Sequence, residues 1–313
     1  MSSPELAPTP QPSQPAATAR NAGVALDAPG TGQPTATRTR PTLGLDLLGS
    51  ELTVLFRRRR TWAMLAAVAL IPILLAVAVR LTASELDPGD GPPFLDRVTQ
   101  NGLFVGFTAT VVAIPLFLPL TIGVVAGDTI AGEAGLGTLR YLLVSPAGRL
   151  RLLLVKYAGA AAFCLAATLT LVAVGALIGA LLFPVGPVTL LSGETIGVGE
   201  SVLRSLLVAA YVTVSLLGLC AIGLFISTLT TVPVGAMAAT VVVSVVSQIL
   251  GALPQLEWLH PWLFTQHWLG FAGILSQPAD LSAFGTNALL QAGYIAVFFA
   301  LAYGRFATKD ILS

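Results

Sequence analysis

Ionisable side chains are missing from the interior of six long apolar stretches, at residues 62–80, 102–127, 157–183, 202–227, 233–253 and 287–304. Each is close to the roughly 20 residues an α-helix needs to cross a hydrocarbon core about 30 Å thick. A charge at mid-membrane costs at least about 2.5 kcal/mol, and such residues are kept where proton relays or ion sites need them. Their absence here argues against an ion-coupled pump. With 55% hydrophobic and 10% charged residues, the composition also excludes an ordinary soluble domain. The expected fold class is an all-α polytopic membrane protein with six transmembrane helices.

Basic residues near helix ends resist translocation, so their distribution sets the expected orientation. With the amino terminus in the cytoplasm, Arg57–Arg60, Arg140, Arg149, Arg151, Lys156, Arg305 and Lys309 fall inside, and Arg80, Arg97 and Arg204 outside. Both termini are then cytoplasmic, and the protein is expected to be multi-pass in the cell membrane. Residues 1–41, rich in Pro, Ala, Thr, Ser and Gln, read as a disordered cytoplasmic tail without a secretory h-region. Residues 42–313 form the expected membrane domain. Cys164 and Cys220 both fall inside apolar stretches and make no disulfide framework.

Two segments at the basic end carry patterns of their own. From Leu43 to Arg60, Leu45, Leu48, Leu52 and Leu55 recur at helical spacing, with Asp46, Glu51 and Thr53 mostly off that stripe and four arginines closing the run. This predicts an amphipathic interfacial helix, either a topogenic anchor or a lever touching a cytoplasmic partner. Between the second and third stretches, Asp128 to Lys156 is the one long polar interruption on the basic side. Leu136, Leu139, Leu142 and Leu143 form a stripe there, flanked by Glu133, Arg140 and Tyr141, and Ser145-Pro146-Ala147-Gly148 breaks the helix. The pattern fits a surface-lying loop helix, or one that docks in a groove of another protein and transmits a push.

The run Asp128, Ile130, Gly132, Glu133, Gly137, Thr138, Leu139, Leu142, Leu143, Pro146, Arg149 and Lys156 resembles the signature of the ABC-2-type transporter permeases. The likeness extends from about Leu43 onward, through the six stretches, the Ser227-Thr228-Leu229-Thr230-Thr231 turn and the ending Phe306-Ala307-Thr308-Lys309-Asp310-Ile311. It implies a coupling helix between helices 2 and 3, seated on a separate ATPase subunit. Glu133 and Arg140 would be polar contacts there and the leucines the docking ridge. The coupling set is Asp128, Glu133, Gly137, Thr138, Leu139, Arg140, Leu142, Leu143, Pro146 and Arg149, with Thr228 to Thr231 as a smaller contact nearby. The likeness further implies pairing of two such subunits, as a homodimer or related heterodimer, and an outer segment between helices 5 and 6 that re-enters the membrane and caps the path.

The chain's own residues agree that energy would come from elsewhere. A P-loop needs Gly-x-x-x-x-Gly-Lys followed by Ser or Thr, and Lys156 and Lys309 follow Val155 and Thr308. No cofactor is expected on this chain; ATP and Mg belong to the partner. Leu191-Ser192-Gly193-Glu194 faintly echoes an ATPase signature but falls on the outer side. No nucleophile elbow appears, no nucleic-acid partner is expected, and the chain is not expected to be an enzyme. Glu257 and His260 have metal-ligand spacing with His267 nearby, yet Trp258, Trp262 and Trp268 in the same segment read instead as an outer aromatic belt.

Leu253 to Gly285, interrupted by Pro254, Pro261 and Pro278, is the candidate outer gate. Pro115 and Pro119 should kink or loosen the second helix, and Gly175-x-x-x-Gly179 permits a close helix contact. Thr108, Thr110, Ser244, Ser247, Gln248 and Gln291 either line a substrate route or hydrogen-bond neighbouring helices. Uncharged passages favour export of a hydrophobic or amphiphilic compound. Similar permeases serve maturation of a copper enzyme, but the Met, Cys and His present are poor material for a soft-metal path. A non-transporting scaffold or sensor is the remaining alternative.

Overall fold

The computed structural model describes residues 45–82, 98–137, 148–189, 194–276 and 278–308. The chain divides into Met1–Pro41 and Thr42–Ser313, and all of these residues belong to the second unit. The expected tail lies outside them. The fold is mostly helical, and six of its helices are long and apolar enough to cross a membrane.

Helix α1 spans Leu45–Arg57 and α2 spans Arg59–Thr82. The corner between them is held by side chains of α2 that accept the role of caps for α1: Thr61 Oγ1 donates to Leu55 O at 2.6 Å and Trp62 Nε1 to Phe56 O at 2.7 Å. These carbonyls would otherwise be orphaned at a helix end. On α1 the half-buried residues are Leu48, Glu51, Leu52, Leu55 and Phe56. Glu51 therefore lies on the inward face, a correction to the sequence reading; a helix of four turns allows a phase error of one position, about 100°, without losing its leucine stripe.

The second passage is two helices, α3 at Phe104–Ala113 and α4 at Phe117–Gly135. The continuous helix expected over 102–127 is broken because Pro115 has no N–H to give and Leu116 leaves helical geometry at φ −134°. Gln248 Nε2 donates to the Pro115 carbonyl at 2.8 Å. Beyond Gly127, α4 continues to Gly135, since no breaker precedes Gly137, whose φ of +70° ends it in the left-handed region that favours glycine. The third passage, α5, starts at Arg149, earlier than residue 157, and runs to Leu182. Asp128, Glu133, Arg149 and Lys156 thus sit on helices continuous with the passages, not on a separate loop element.

A short antiparallel pair, β1 at Val188–Thr189 and β2 at Thr195–Ile196, follows α5 at the end of the bundle opposite the arginines. Helices α6 at Val198–Leu229, α7 at Pro233–Ala252 and α8 at Ser282–Thr308 complete the bundle. In α6, 67% of the apolar window is buried, against 22% in α7 and 11% in α8, so α6 forms the centre and α8 the periphery.

A close helix approach joins α5 to the start of the second passage. A Cβ on Gly175 would stand 2.5 Å from Gly106 Cα, and one on Gly179 would overlap Gly102 O. The Gly175-x-x-x-Gly179 pattern does carry a close contact, and its partner is a second, antiparallel pair, Gly102-x-x-x-Gly106.

Between α7 and α8 the backbone forms two 3-10 segments, Pro254–Trp262 and Gly270–Leu275. Irregular backbone away from water survives only where its polar groups are satisfied. Here Tyr211 Oη donates to His267 O, Gln291 Nε2 to Phe264 O and Tyr294 Oη to Trp262 O. Arg204, buried, donates to Ile274 O and Ser276 O and pairs with Glu200. Trp268 is 3% exposed and donates to Ser215 O, whereas Trp258 and Trp262 are 72% and 70% exposed. Trp268 is therefore a core residue and not part of a surface belt. At the start of α8, hydrogen bonds from Ser282 hold the Asp280 carboxyl below the usual carboxylate range.

Candidate functional site: a charged cluster at the arginine end

Four elements bring six charged side chains together where α1 meets the bundle. Lys156, on α5, is the innermost, with 7% of its side chain exposed. Its Nζ donates to Glu51 Oε1 of α1 at 2.8 Å and to Glu133 Oε1 of α4. Nearby, Asp128 Oδ2 of α4 receives Arg60 Nη1 at 3.1 Å and faces Arg58 Nη1 at 3.7 Å. A buried lysine needs a counter-charge, since an ammonium left alone in a low dielectric costs several kcal/mol. Lys156 finds two, and that requirement ties α1 to α4 and α5 at one point.

The lower half of α4 is fastened a second time, by a hydroxyl. Ser227 of α6 is fully buried; its Oγ donates to Gly127 O at 2.7 Å and accepts from Ile130 N at 3.0 Å and Ala131 N at 2.8 Å. The side chain is inserted into the hydrogen-bond ladder of α4 between Gly127 and Ala131. Gly127 permits the accompanying approach of α7, because a Cβ there would lie 2.8 Å from Met237 N. A Cβ on Gly135 would lie 3.1 Å from Thr231 O, which places the turn after α6 beside the end of α4.

Of the expected coupling residues, Asp128 and Glu133 lie on α4 and engage Arg60 and Lys156. Gly137 ends the helix and Arg149 opens α5, donating to Phe306 O at 3.3 Å. Thr138, Leu139, Arg140, Leu142, Leu143 and Pro146 lie outside the described residues. Leu136, the first leucine of the stripe, is 78% exposed. Glu51 and Ser227 were not singled out in the sequence as site residues. Lys156, a lysine at the mouth of an apolar helix, was the signal that a carboxylate had to be found for it.

Walls from α1, α2, α4, α5 and α7 enclose a cavity of about 440 Å³ over this cluster. At the opposite end, an apolar groove of about 570 Å³ runs along α8 past Trp262, His267 and Tyr294. His260 Nε2 lies 3.1 Å from Leu253 O, and among the described residues no three His, Cys, Asp or Glu side chains converge as a metal site. Thr108, Thr110 and Ser244 bond carbonyls of their own helices, while Ser247, Gln248 and Gln291 reach Thr265, Pro115 and Phe264 on other elements. All six are thus engaged within the protein. Cys164 and Cys220 are buried free thiols.

No curated protein matches the sequence. Residues 64–312, most of the chain, match a family described as a protein of unknown function, DUF2705. The match runs from within the first passage through the last and takes in the whole Asp128–Lys156 run, and by it the chain belongs to the DUF2705 family.

Proposed function

We propose that this chain is the membrane-spanning permease subunit of an ATP-binding cassette exporter for a hydrophobic or amphiphilic compound. ATP and Mg are bound by a separate ATPase subunit, two permease copies pair, and the arginine end with both termini faces the cytoplasm. The observation that carries the reading is the Asp128–Lys156 run, which resembles the coupling signature of ABC-2-type permeases and lies where two passages are braced. Helix α4 ends at Gly135, shortly before residues 138–147 in the chain, and α5 begins at Arg149, shortly after them. Force applied to that segment is delivered directly to two helices of the bundle.

In this mechanism the charged residues divide by role. Glu133, turned to Lys156, and Asp128, turned to Arg60, position α4 as a stiff lever. Ser227 keeps its lower half in register with α6. Docking on the ATPase falls to the segment from Gly137 through Pro146 and to Arg149. The test is ATP hydrolysis by the ATPase purified with the tagged full-length chain from its native membranes. Replacing Leu139, Leu142 and Leu143 together by Asp should detach the ATPase while the chain stays folded. A complex that survives this change intact would overturn the docking role.

A further inference from the structure

The segment between α7 and α8 has two halves that are held very differently. The first, Pro254–Trp262, contains no buried residue, and its Trp258 and Trp262 stand open. Both of its roots are extended: Leu253 at φ −92°, ψ 111°, as the residue before a proline prefers, and Leu263 at φ −72°, ψ 127°. His260 Nε2 turns back to the Leu253 carbonyl, so that bond ties this half to its own root. Among the described residues, one side chain from another element reaches its backbone: Tyr294 Oη of α8 donates to Trp262 O at 2.7 Å. The second half, residues 263–276, is fastened to three helices. Tyr211 and Arg204 of α6 donate to His267 O, Ile274 O and Ser276 O, Gln291 of α8 donates to Phe264 O, and Ser247 of α7 meets Thr265 at 2.8 Å. Leu263, Phe264, Trp268, Phe271, Ile274 and Leu275 are all buried.

We propose that this segment is a flap on a fixed cap: Pro254–Trp262 swings about Leu253 and Leu263, with the Tyr294–Trp262 bond as its catch, while residues 263–276 stay seated on α6. Local opening begins where buried contacts are few and the backbone is exposed, and the flap meets both conditions. The cap meets neither. Pro261 and Trp262 of the flap, with His267 of the cap, line the apolar groove of about 570 Å³ along α8. Releasing the catch moves one wall of that groove, so the flap sets how widely the groove opens. The inference stands on this geometry and does not depend on ATP-driven transport.

Hydrogen exchange of the purified full chain in detergent, read by mass spectrometry on peptides from each half, tests it with two matched variants. Tyr294→Phe and Tyr211→Phe each delete one hydroxyl that donates to a backbone carbonyl at 2.7 Å, and each keeps its ring. In the parent, the flap should exchange at least about tenfold faster than the cap. Tyr294→Phe should speed exchange of the flap about threefold to tenfold, as the loss of one hydrogen bond allows, and leave the cap within about twofold of the parent. Tyr211→Phe should do the reverse. A flap as protected as the cap in the parent, or unchanged by Tyr294→Phe, would overturn the proposal. Either variant speeding both halves alike would show that the segment opens as one piece, and would overturn it too.

Discussion

Replacing Lys156 by Met removes the ammonium and keeps most of the apolar stem. Glu51 and Glu133 would then face each other without their shared counter-ion. Removing one partner of a buried ion pair costs about 3–5 kcal/mol. Here the two carboxylates are 27% and 19% exposed, so water recovers part of that and we expect about 2–3 kcal/mol. At about 2–4 °C per kcal/mol for a chain of this size, the thermal midpoint should fall by roughly 5–10 °C. The assay is thermal unfolding of the purified full chain in detergent, followed by near-UV dichroism. The decisive comparison is the charge-free triple variant, Lys156→Met with Glu51→Gln and Glu133→Gln. Because it removes all three charges together and leaves no carboxylate without its counter-ion, it should recover to within about 1 kcal/mol of the parent. A Lys156→Met protein as stable as the parent would refute the argument. So would a triple variant as unstable as the single one, which would trace the loss to packing and not to charge.

Three further outcomes follow from single contacts. Gly179→Ala drives a Cβ into the Gly102 carbonyl and should cost about 1–3 kcal/mol by the same unfolding assay, whereas Gly285→Ala, which meets open space, should cost far less. Ser227→Ala leaves the Gly127 carbonyl and the Ile130 and Ala131 amides without their hydroxyl partner; a loss of about 1–3 kcal/mol is expected, with faster hydrogen exchange confined to α4 below Gly127. Trp268→Phe deletes a buried bond to Ser215 O and should lower stability by about 1 kcal/mol or more, while Trp258→Phe should leave it unchanged, a difference readable in parallel melts.

The elements legible in the sequence were those written by local chemistry. Six apolar runs announce six long helices because length and lack of charge are properties of a segment by itself. Pro115 announces the break in the second passage for the same reason. What stayed hidden was pairing at long range. Gly175 and Gly179 advertise a close approach, but nothing local says that Gly102 and Gly106 receive it. Ser227 reads as an ordinary turn-proximal serine until the fold places it in the ladder of a helix about a hundred residues earlier in the chain.

Glu51 and Trp268 show two other limits. The leucine stripe of α1 defined a face, but the face is broad enough to admit Glu51 beside Leu48, Leu52 and Leu55, and Lys156 then drew it in. Three tryptophans in one segment suggested a shared surface role, yet a single donor–acceptor pair with Ser215 separates Trp268 from the exposed Trp258 and Trp262. Of the coupling set, Asp128 and Glu133 were legible as polar residues of consequence. That they face inward depended on α4 continuing past Gly127 and bringing them under Arg60 and Lys156.

The proposed drive by an ATPase docked on residues 137–149 can be measured directly. Proteoliposomes would hold the full-length chain together with the ATPase isolated with it, and ATP hydrolysis would be followed alongside movement of a fluorescent hydrophobic dye. The account predicts ATP-dependent dye movement that requires both proteins and is lost when Leu139, Leu142 and Leu143 become Asp. Hydrolysis and dye distribution indifferent to the chain, or unchanged by that substitution, would contradict it.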